Sequence, residues 1–395
     1  MRPENELINL SCRTRLDEAE SKHLEILLKK NLDWGYLLRR SKEEGVSAFL
    51  YYHLNNSAKK GNIPVALAMG SQTTAFWPVD ILEELRTIYY HNSLRNTVLC
   101  EAAKKILKVF NEENIKAIIL KGIFLAENIY KNIALRPVTD IDILIKKEDL
   151  YNVNRILNSL GYIPPSYYQD FVLTNKITPL NSLVYNKPNS NFSLHLHWHI
   201  INSTWPLDNL VSKIDMGRIW SYAEPSKIDG IDVLTLAPQH LLIYISHHSL
   251  NHCLDRLILL SDILETLRYY KDRLNWDAVI KEAERFNLSL VLYCSLDFTA
   301  NALNIDIPAL ERLKPLKLGF WEKLVSWFLH KGFLSYGVSY FIYFLTQSGV
   351  SNKLQFIGRT ILPSRYTMAH SLSLPLSEIK FFHYCQRIEK IFLNF

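Results

Sequence analysis

Residues 120–145 read LKGIFLAENIYKNIALRPVTDIDILI, and the way short β-rich runs alternate with a helical stretch there decides the fold. Ile115 to Leu120 (IKAIIL) is a compact apolar run of the kind that forms a buried strand, and it stops at Lys121-Gly122. A helical stretch is expected from about Phe124 to Tyr130. The polar, proline-containing RPVTD then leads into a second apolar run, Ile141 to Ile145. Asp140 and Asp142 lie two apart there. Alternate side chains of a strand share a face, so both carboxylates project one way while Ile141 and Ile143 point into a core. Two such groups repel unless a cation sits between them, and hard oxygen ligands at that spacing suit Mg²⁺ or Mn²⁺. A D-x-D tripeptide alone is weak evidence, because a solvated strand end gives the same pattern. Its company adds weight. Lys121-Gly122 brings a cation and bare backbone to the start of a helix, where free N–H groups and the dipole attract phosphate. Arg136, four residues before Asp140, offers a fork suited to phosphate oxygens. The plain alternatives are a surface Lys121, a turn-forming Gly122 and an Arg136 that only pairs with Asp140.

Outward from this stretch, Glu148 to Leu160 reads as a helix closed by Gly161. Leu183–Tyr185 and Phe192–His199 read as two strands joined by the turn-rich NKPNSN. Strand, helix, strand, helix and hairpin make one compact α/β unit over about 111–205. Residues 1–110 are helical by apolar period. Gly45 breaks two short helices, a looser stretch holds Pro64 and Pro78, and a long amphipathic helix runs from about Ile81 to Phe110, with Asn114 as its stop. The helical period returns in 206–310, where APQHLLIYISHH and LDRLILLSDILETL read as two helices. DWGYLLRRSKEEGVSAFLYYHL (33–54) and LNWDAVIKEAERFNLSLVLYCSL (274–296) are two similar helix pairs, too few for a solenoid. Residues 311–395 are aromatic and amphipathic without a chemical signature. The fold class expected is α+β: a small sheet core flanked by N- and C-terminal helical regions.

The chain has 395 residues, 48% hydrophobic and 21% charged, which excludes collagen-like and disordered classes. A net charge of +6 suits anionic small substrates; with no dense Lys/Arg stripe, a nucleic-acid partner is not expected. No stretch reaches the ~18 apolar residues of a membrane-spanning helix, and the start lacks the apolar core of a secretory signal. Five scattered cysteines without C-x-x-C spacing indicate neither zinc knuckle nor disulfide framework, so a reducing cytoplasm is expected.

The combined pattern resembles the nucleotidyltransferase superfamily with a DNA polymerase β-like fold, and more closely the bacterial family of uncharacterised nucleotidyltransferases (nucleotidyltransferase 5 type). The matching motifs are Leu120-Lys121-Gly122, Arg136, DIDILI at 140–145 and HLHW at 195–198. The 33–54 helix pair and the helices carrying His247 or His248, Arg256-Leu257 and Asp262 fit as well, so the resemblance covers about 30–305. It implies two-metal nucleotidyl transfer with Mg²⁺ or Mn²⁺. Asp140 and Asp142 would ligate metal, Lys121 and the Gly122 backbone would hold phosphate, and Arg136 would steady charge on the transferred group. The donor implied is a nucleoside triphosphate or nucleotide-sugar. The acceptor implied is a peptide, such as a lasso peptide, or a glycan. The other readings are a non-catalytic nucleotide- or peptide-binding scaffold and a toxin-like tRNA nucleotidyltransferase.

Two departures from the family pattern matter. Ile123 and Phe124 follow Gly122 where Gly-Gly or Gly-Ser is usual. The third carboxylate, two residues before His-Trp, is replaced by His195. A neutral imidazole ligand leaves one less negative charge and favours Mn²⁺ over Mg²⁺. His195, His197 and His199 share one strand face, as a metal or acid/base ledge or as hydrogen-bonded imidazoles. A zinc site from this H-x-H-x-H run, completed by Asp140 or Asp142, is the local rival. His248, His252 and Arg256, four apart, are expected to form one helical stripe lining the cleft, with Asp262 nearby; a salt-bridged helix face is the plain alternative.

Overall fold

The protein is described from a computed structural model covering residues 2–59, 78–165, 180–201, 207–313, 319–331, 334–372 and 374–392. The stretch around Pro64 lies outside these residues. The N-terminal helices are α1 (Pro3–Ser11), α2 (Glu18–Leu28), α3 (Trp34–Glu43), α4 (Ser47–Lys59) and α5 (Val79–Glu112). The core carries β1 (Ile118–Ile119), β2 (Asp140–Leu144), α6 (Leu150–Ser159), β3 (Ser182–Asn186) and β4 (Ser193–His197). After it come α7 (Asp208–Val211), α8 (Met216–Tyr222), β5 (Glu224–Ile228), β6 (Ile231–Thr235), α9 (Pro238–Asn251), α10 (Leu257–Tyr269), α11 (Trp276–Arg285), α12 (Ser289–Leu303) and α13 (Leu310–Leu313). The C-terminal region holds α14 (Phe320–His330), α15 (Tyr336–Thr346), α16 (Val350–Ile361), α17 (Arg365–Leu372) and α18 (Phe381–Phe392). The fold is α+β, as expected.

One mixed sheet has the order β3-β4-β2-β1-β6-β5. β2 runs parallel to β4 and β1 parallel to β6, while the remaining neighbours are antiparallel. The expected strand 115–120 forms regular ladder pairs at Ile118 and Ile119, with backbone bonds at Ala117 and Leu120 on either side. The sheet also reaches past the expected 111–205 unit. A hairpin in the region read as helical, 206–310, supplies β5 and β6, and β6 closes the sheet against β1. Its turn is Asp229-Gly230, both at positive φ (44° and 80°), a two-residue turn that matches strand twist.

The long helix forms as read. Leu99, Ala103, Ile106, Leu107 and Phe110 are its buried stripe, and Asn114, at φ 58°, ends it. The two Trp-bearing helix pairs are α3–α4 and α11–α12. Asp33 caps α3 through the Tyr36 N–H and Asn275 caps α11 through the Ala278 N–H. The segment between Leu125 and Ile129 is a π-helix rather than a regular α-helix, a form frequent near functional sites.

The loop that delivers β2 is pinned by α5. The buried Asn96 side chain donates to the backbone carbonyls of Ile133 and Arg136, and its Oδ1 accepts from the Val138 N–H at 3.2 Å. Asn92 adds a bond to the Ala134 carbonyl at 3.2 Å. Asn96→Ala strands these backbone groups out of water and is expected to cost about 3 kcal/mol, read as a lowered midpoint in urea unfolding. A loss within ~0.5 kcal/mol, the range of an ordinary surface change, contradicts the pinning role.

Candidate active site

The site forms where β1, β2 and β4 lie side by side. Parallel register sets Asp140 opposite Ser193, Asp142 opposite His195 and Leu144 opposite His197. Asp140, Asp142, His195 and His197 therefore share one face, while Ile141, Ile143, Leu194 and Leu196 are buried in the core. Lys121, just past β1, reaches across. Its Nζ lies 2.5 Å from Asp142 Oδ2 and 3.7 Å from Asp140 Oδ2. His197 Nε2 is 3.1 Å from the other Asp142 oxygen, Oδ1. His195 Nδ1 stands 3.7 Å from Asp140 Oδ2 and 4.0 Å from Asp142 Oδ1, while its Nε2 meets Ser193 Oγ at 3.1 Å. Of the two carboxylates that the spacing paired, Asp142 is at the centre, only 3% exposed.

Electrostatics follow from that burial. Burial pushes the Asp142 carboxyl up, but the Lys121 ammonium, with the hydrogen bond and charge of His197, holds it well below the usual range. Burial disfavours the Lys121 charge, yet the carboxylates of Asp140 and Asp142 more than offset this and raise its pKa. His195 is lowered by burial, against the pull of both carboxylates. The site at neutral pH is an ionised Asp142 locked to an ammonium, with a neutral imidazole beside it.

Gly122 and Arg136 have structural partners. Gly122 sits at φ 58°, and a Cβ there would come within 3.2 Å of Val138 Cγ1 and 3.5 Å of the Asp140 carbonyl. A residue without a side chain is needed to pass that strand. Arg136 is buried, and its fork, expected for phosphate with a pairing to Asp140 as the plain alternative, lies on Asp262. Its Nε donates to Oδ1 at 2.7 Å and its Nη2 to Oδ2 at 2.8 Å. Tyr130 donates its hydroxyl to the same Oδ1 at 2.7 Å. Asp262 therefore ties the loop before β2, and the π-helical segment, to α10.

Of the expected stripe, His248 and His252 stay in edge-to-face contact with ring centroids 4.7 Å apart, while Arg256 leaves it, because α9 ends at Asn251 and α10 begins at Leu257. Cys253 and Leu254 turn the chain at positive φ, and His252 and Arg256 are exposed at this junction. His248 stacks on Tyr244 with ring centroids 6.4 Å apart. Burial lowers it far below its ordinary value, with the Lys121 charge adding to the effect. His247 points elsewhere, to the Tyr343 hydroxyl at 2.6 Å. His199 lies past the end of β4, where its Nδ1 accepts from the Ile201 N–H at 2.9 Å, so it stands apart from His195 and His197. Two neighbours carry no sequence signal. Tyr244 has its phenol pushed up by burial and by Asp142. His370, buried in α17, is lowered to about 4 by burial, with the imidazoles of His195 and His197 adding to it.

Asp142, His195 and His197 each offer one ligand atom, all within 4.8 Å of one another. One carboxylate and two imidazoles fit Zn²⁺, a cation of borderline softness, and suit Mn²⁺ better than Mg²⁺. Lys121 covers the opposite Asp142 oxygen, and Asp140 stands beside the set. Among the described residues this is the one group of three or more such ligands.

A family model described as an uncharacterised nucleotidyltransferase matches residues 30–304. No curated protein and no solved structure matches the chain.

Removing the Lys121 charge leaves Asp142 buried and unbalanced. Lys121→Met is expected to cost about 3–5 kcal/mol, and much less when Asp142→Asn is present. Urea unfolding of the four proteins in that cycle measures the coupling, and additive losses contradict it. A second expectation concerns acid. His53 and His370 are each lowered by burial to about 4 from an ordinary value near 6.5. Their neutral forms stabilise the fold fully above pH 6.5, and that contribution is lost as pH falls toward 4. Unfolding free energy measured from pH 7 to 4 should decline across this window, and a flat profile is inconsistent with neutral buried histidines.

Proposed function

The chain belongs to the uncharacterised nucleotidyltransferase family, and we propose that it transfers a nucleotidyl group from a nucleoside triphosphate to an acceptor at the β2–β4 face. The observation that carries this reading is the convergence of Asp142, His195 and His197 on one point beside the Lys121 ammonium. A divalent cation held by these three would screen the donor's phosphate charge and polarise the reacting phosphoryl group. In the transfer, an acceptor oxygen forms a bond to the α-phosphorus while the bond to the pyrophosphate leaving group breaks. Asp140, less buried than Asp142 at the start of β2, takes the acceptor's proton. Lys121 keeps Asp142 ionised at neutral pH and supplies positive charge beside the phosphates. Arg136 acts through Asp262 as a positioning residue for the loop that ends in Asp140. The nucleotide-sugar donor remains the variant of this reading, with a peptide or glycan as the acceptor class.

A second reading, a nucleotide- or peptide-binding scaffold without transfer, is favoured by one observation. The Lys121 ammonium already neutralises Asp142 at 2.5 Å, so the carboxylate needs no metal.

The two separate in one set of measurements. Thermal shift with each nucleoside triphosphate, with Mn²⁺, Mg²⁺ or chelator, is paired with pyrophosphate release in the presence of candidate peptides and glycans. Transfer predicts stabilisation that needs the cation, together with pyrophosphate release. Asp142→Asn should lower release by about 10²-fold or more. His195→Asp, by adding a hard anionic ligand, should move the preference from Mn²⁺ toward Mg²⁺. Stabilisation that survives chelation without pyrophosphate release supports the scaffold.

A further inference from the structure

The C-terminal region has a charge and surface character of its own. Residues 314–395 lie beyond the family match, and they hold ten lysines and arginines against three glutamates. The first 313 residues hold thirty-five basic and thirty-six acidic residues, so the basic surplus of the chain sits in this tail. The same tail leaves large apolar side chains in water on successive helices.

The exposed residues are ordered. On α16, Val350, Leu354 and Ile357 are 74%, 63% and 43% exposed. Their i, i+4, i+7 spacing is one helical stripe, continued by half-buried Ile361. That stripe is separate from the face through which α16 packs, which is Phe356 and Thr360. On α14, Phe320, Trp321 and Trp327 are exposed while Val325 and Leu329 are buried. On α18, Phe381 and Phe382 open the helix in solvent. The surfaces of α14, α15 and α16 are joined by rings. Trp321 meets Phe341 at 5.9 Å, Phe341 stacks on Phe344 at 6.2 Å, and the Lys353 ammonium lies 5.1 Å from the Phe344 centroid. Ring and cation contacts thus connect α14, α15 and α16, which carry exposed apolar side chains, within a cationic segment.

We propose that this surface docks on a membrane leaflet rich in anionic headgroups. Charge complementarity selects the occupant. A second copy would bring the same positive surplus to the same place, and like charges oppose that pairing. Nucleic acid matches the charge but has no use for a stripe of Val350, Leu354 and Ile357. A bilayer interface accepts both features at once. Aliphatic and aromatic side chains enter the headgroup–acyl boundary while lysines and arginines meet anionic lipid, and Trp and Tyr favour that depth. No helix of the described residues is long and apolar enough to cross a membrane, so the contact is with the surface. The inference is independent of the transfer chemistry at the β2–β4 face.

The test uses the full chain with vesicles of phosphatidylcholine alone and of phosphatidylcholine with phosphatidylserine. Flotation should recover the protein with the anionic vesicles, and added salt should release it. Tryptophan emission should shift to the blue as Trp321 and Trp327 leave water. Leu354→Glu with Ile357→Glu, both at exposed positions, should weaken binding by about tenfold or more while circular dichroism stays native. Absence of flotation at low salt overturns the proposal. So does equal binding to both vesicle types, unchanged binding by the double variant, or equal binding to polyglutamate or duplex DNA competed by salt alone.

Discussion

A buried carboxylate has to be compensated before a protein can fold around it, and the rest of this site follows from how Asp142 is compensated. Its two oxygens are divided between two kinds of partner: one faces the Lys121 ammonium and the other the His197 imidazole. An isolated charge in that position would cost several kcal/mol. The pair therefore fixes the end of β1, the middle of β2 and the end of β4 relative to one another. It also leaves the Oδ1 side, where His195 and His197 converge, as the part of the carboxylate directed at imidazoles rather than at a fixed cation. Protein-held ammonium on one side and a ligand set on the other is a division suited to a site that must be stable before anything binds.

The surrounding polar contacts repeat this logic further out. Asp262 is 2% exposed and would carry the same penalty, and Arg136 and Tyr130 together satisfy it. The residues involved belong to the segment before β2, the π-helical segment after Lys121 and α10. The first two lie within the quoted stretch 120–145, and α10 is brought to them from the helices that follow the sheet. The arginine that looked like a phosphate fork is consequently part of the frame. Its guanidinium meets a buried carboxylate bidentately, and removing either partner leaves the other charge uncompensated.

How much of this could be read in advance depended on the range of the interaction. The Asp140/Asp142 pair, the helix of 79–112 and the hairpin of β3 and β4 rest on local periodicity, and they form where periodicity placed them. The shared face of His195 and His197 follows in the same way from a period of two. The β5–β6 hairpin also carries a local signal, since Ile-Asp-Gly-Ile at 228–231 is a strong two-residue turn signal, but reading 206–310 as helical passed over it. Arg136 with Asp262 is different, since 126 positions separate the partners and nothing local selects one acid over another. Arg256 leaves the stripe of His248 and His252 for a related reason. Spacing by four implies a common face only if the helix continues, and Cys253 and Leu254 end it with no glycine or proline to announce the break.

The chain also divides along a line that chemistry makes visible. Up to residue 313 basic and acidic residues nearly cancel, and charges are used in pairs: Lys121 with Asp142, Arg136 with Asp262, Arg218 with Glu282 at 2.7 Å. Such a region uses charge to define its interior. In the last 82 residues the balance is abandoned, acids become scarce, and apolar side chains appear on outward faces. Yet this region is not a detached appendage. Tyr343 of α15 bonds to His247 of α9, Ser339 to the Leu250 carbonyl, and His370 lies close enough to His195 and His197 to feel them. A region that packs on α9 on one side and carries exposed apolar and aromatic side chains on the other has two different environments to meet. Packing on α9 therefore fixes the inner side of the region and leaves the outward side chains of α14 and α16 to the solvent.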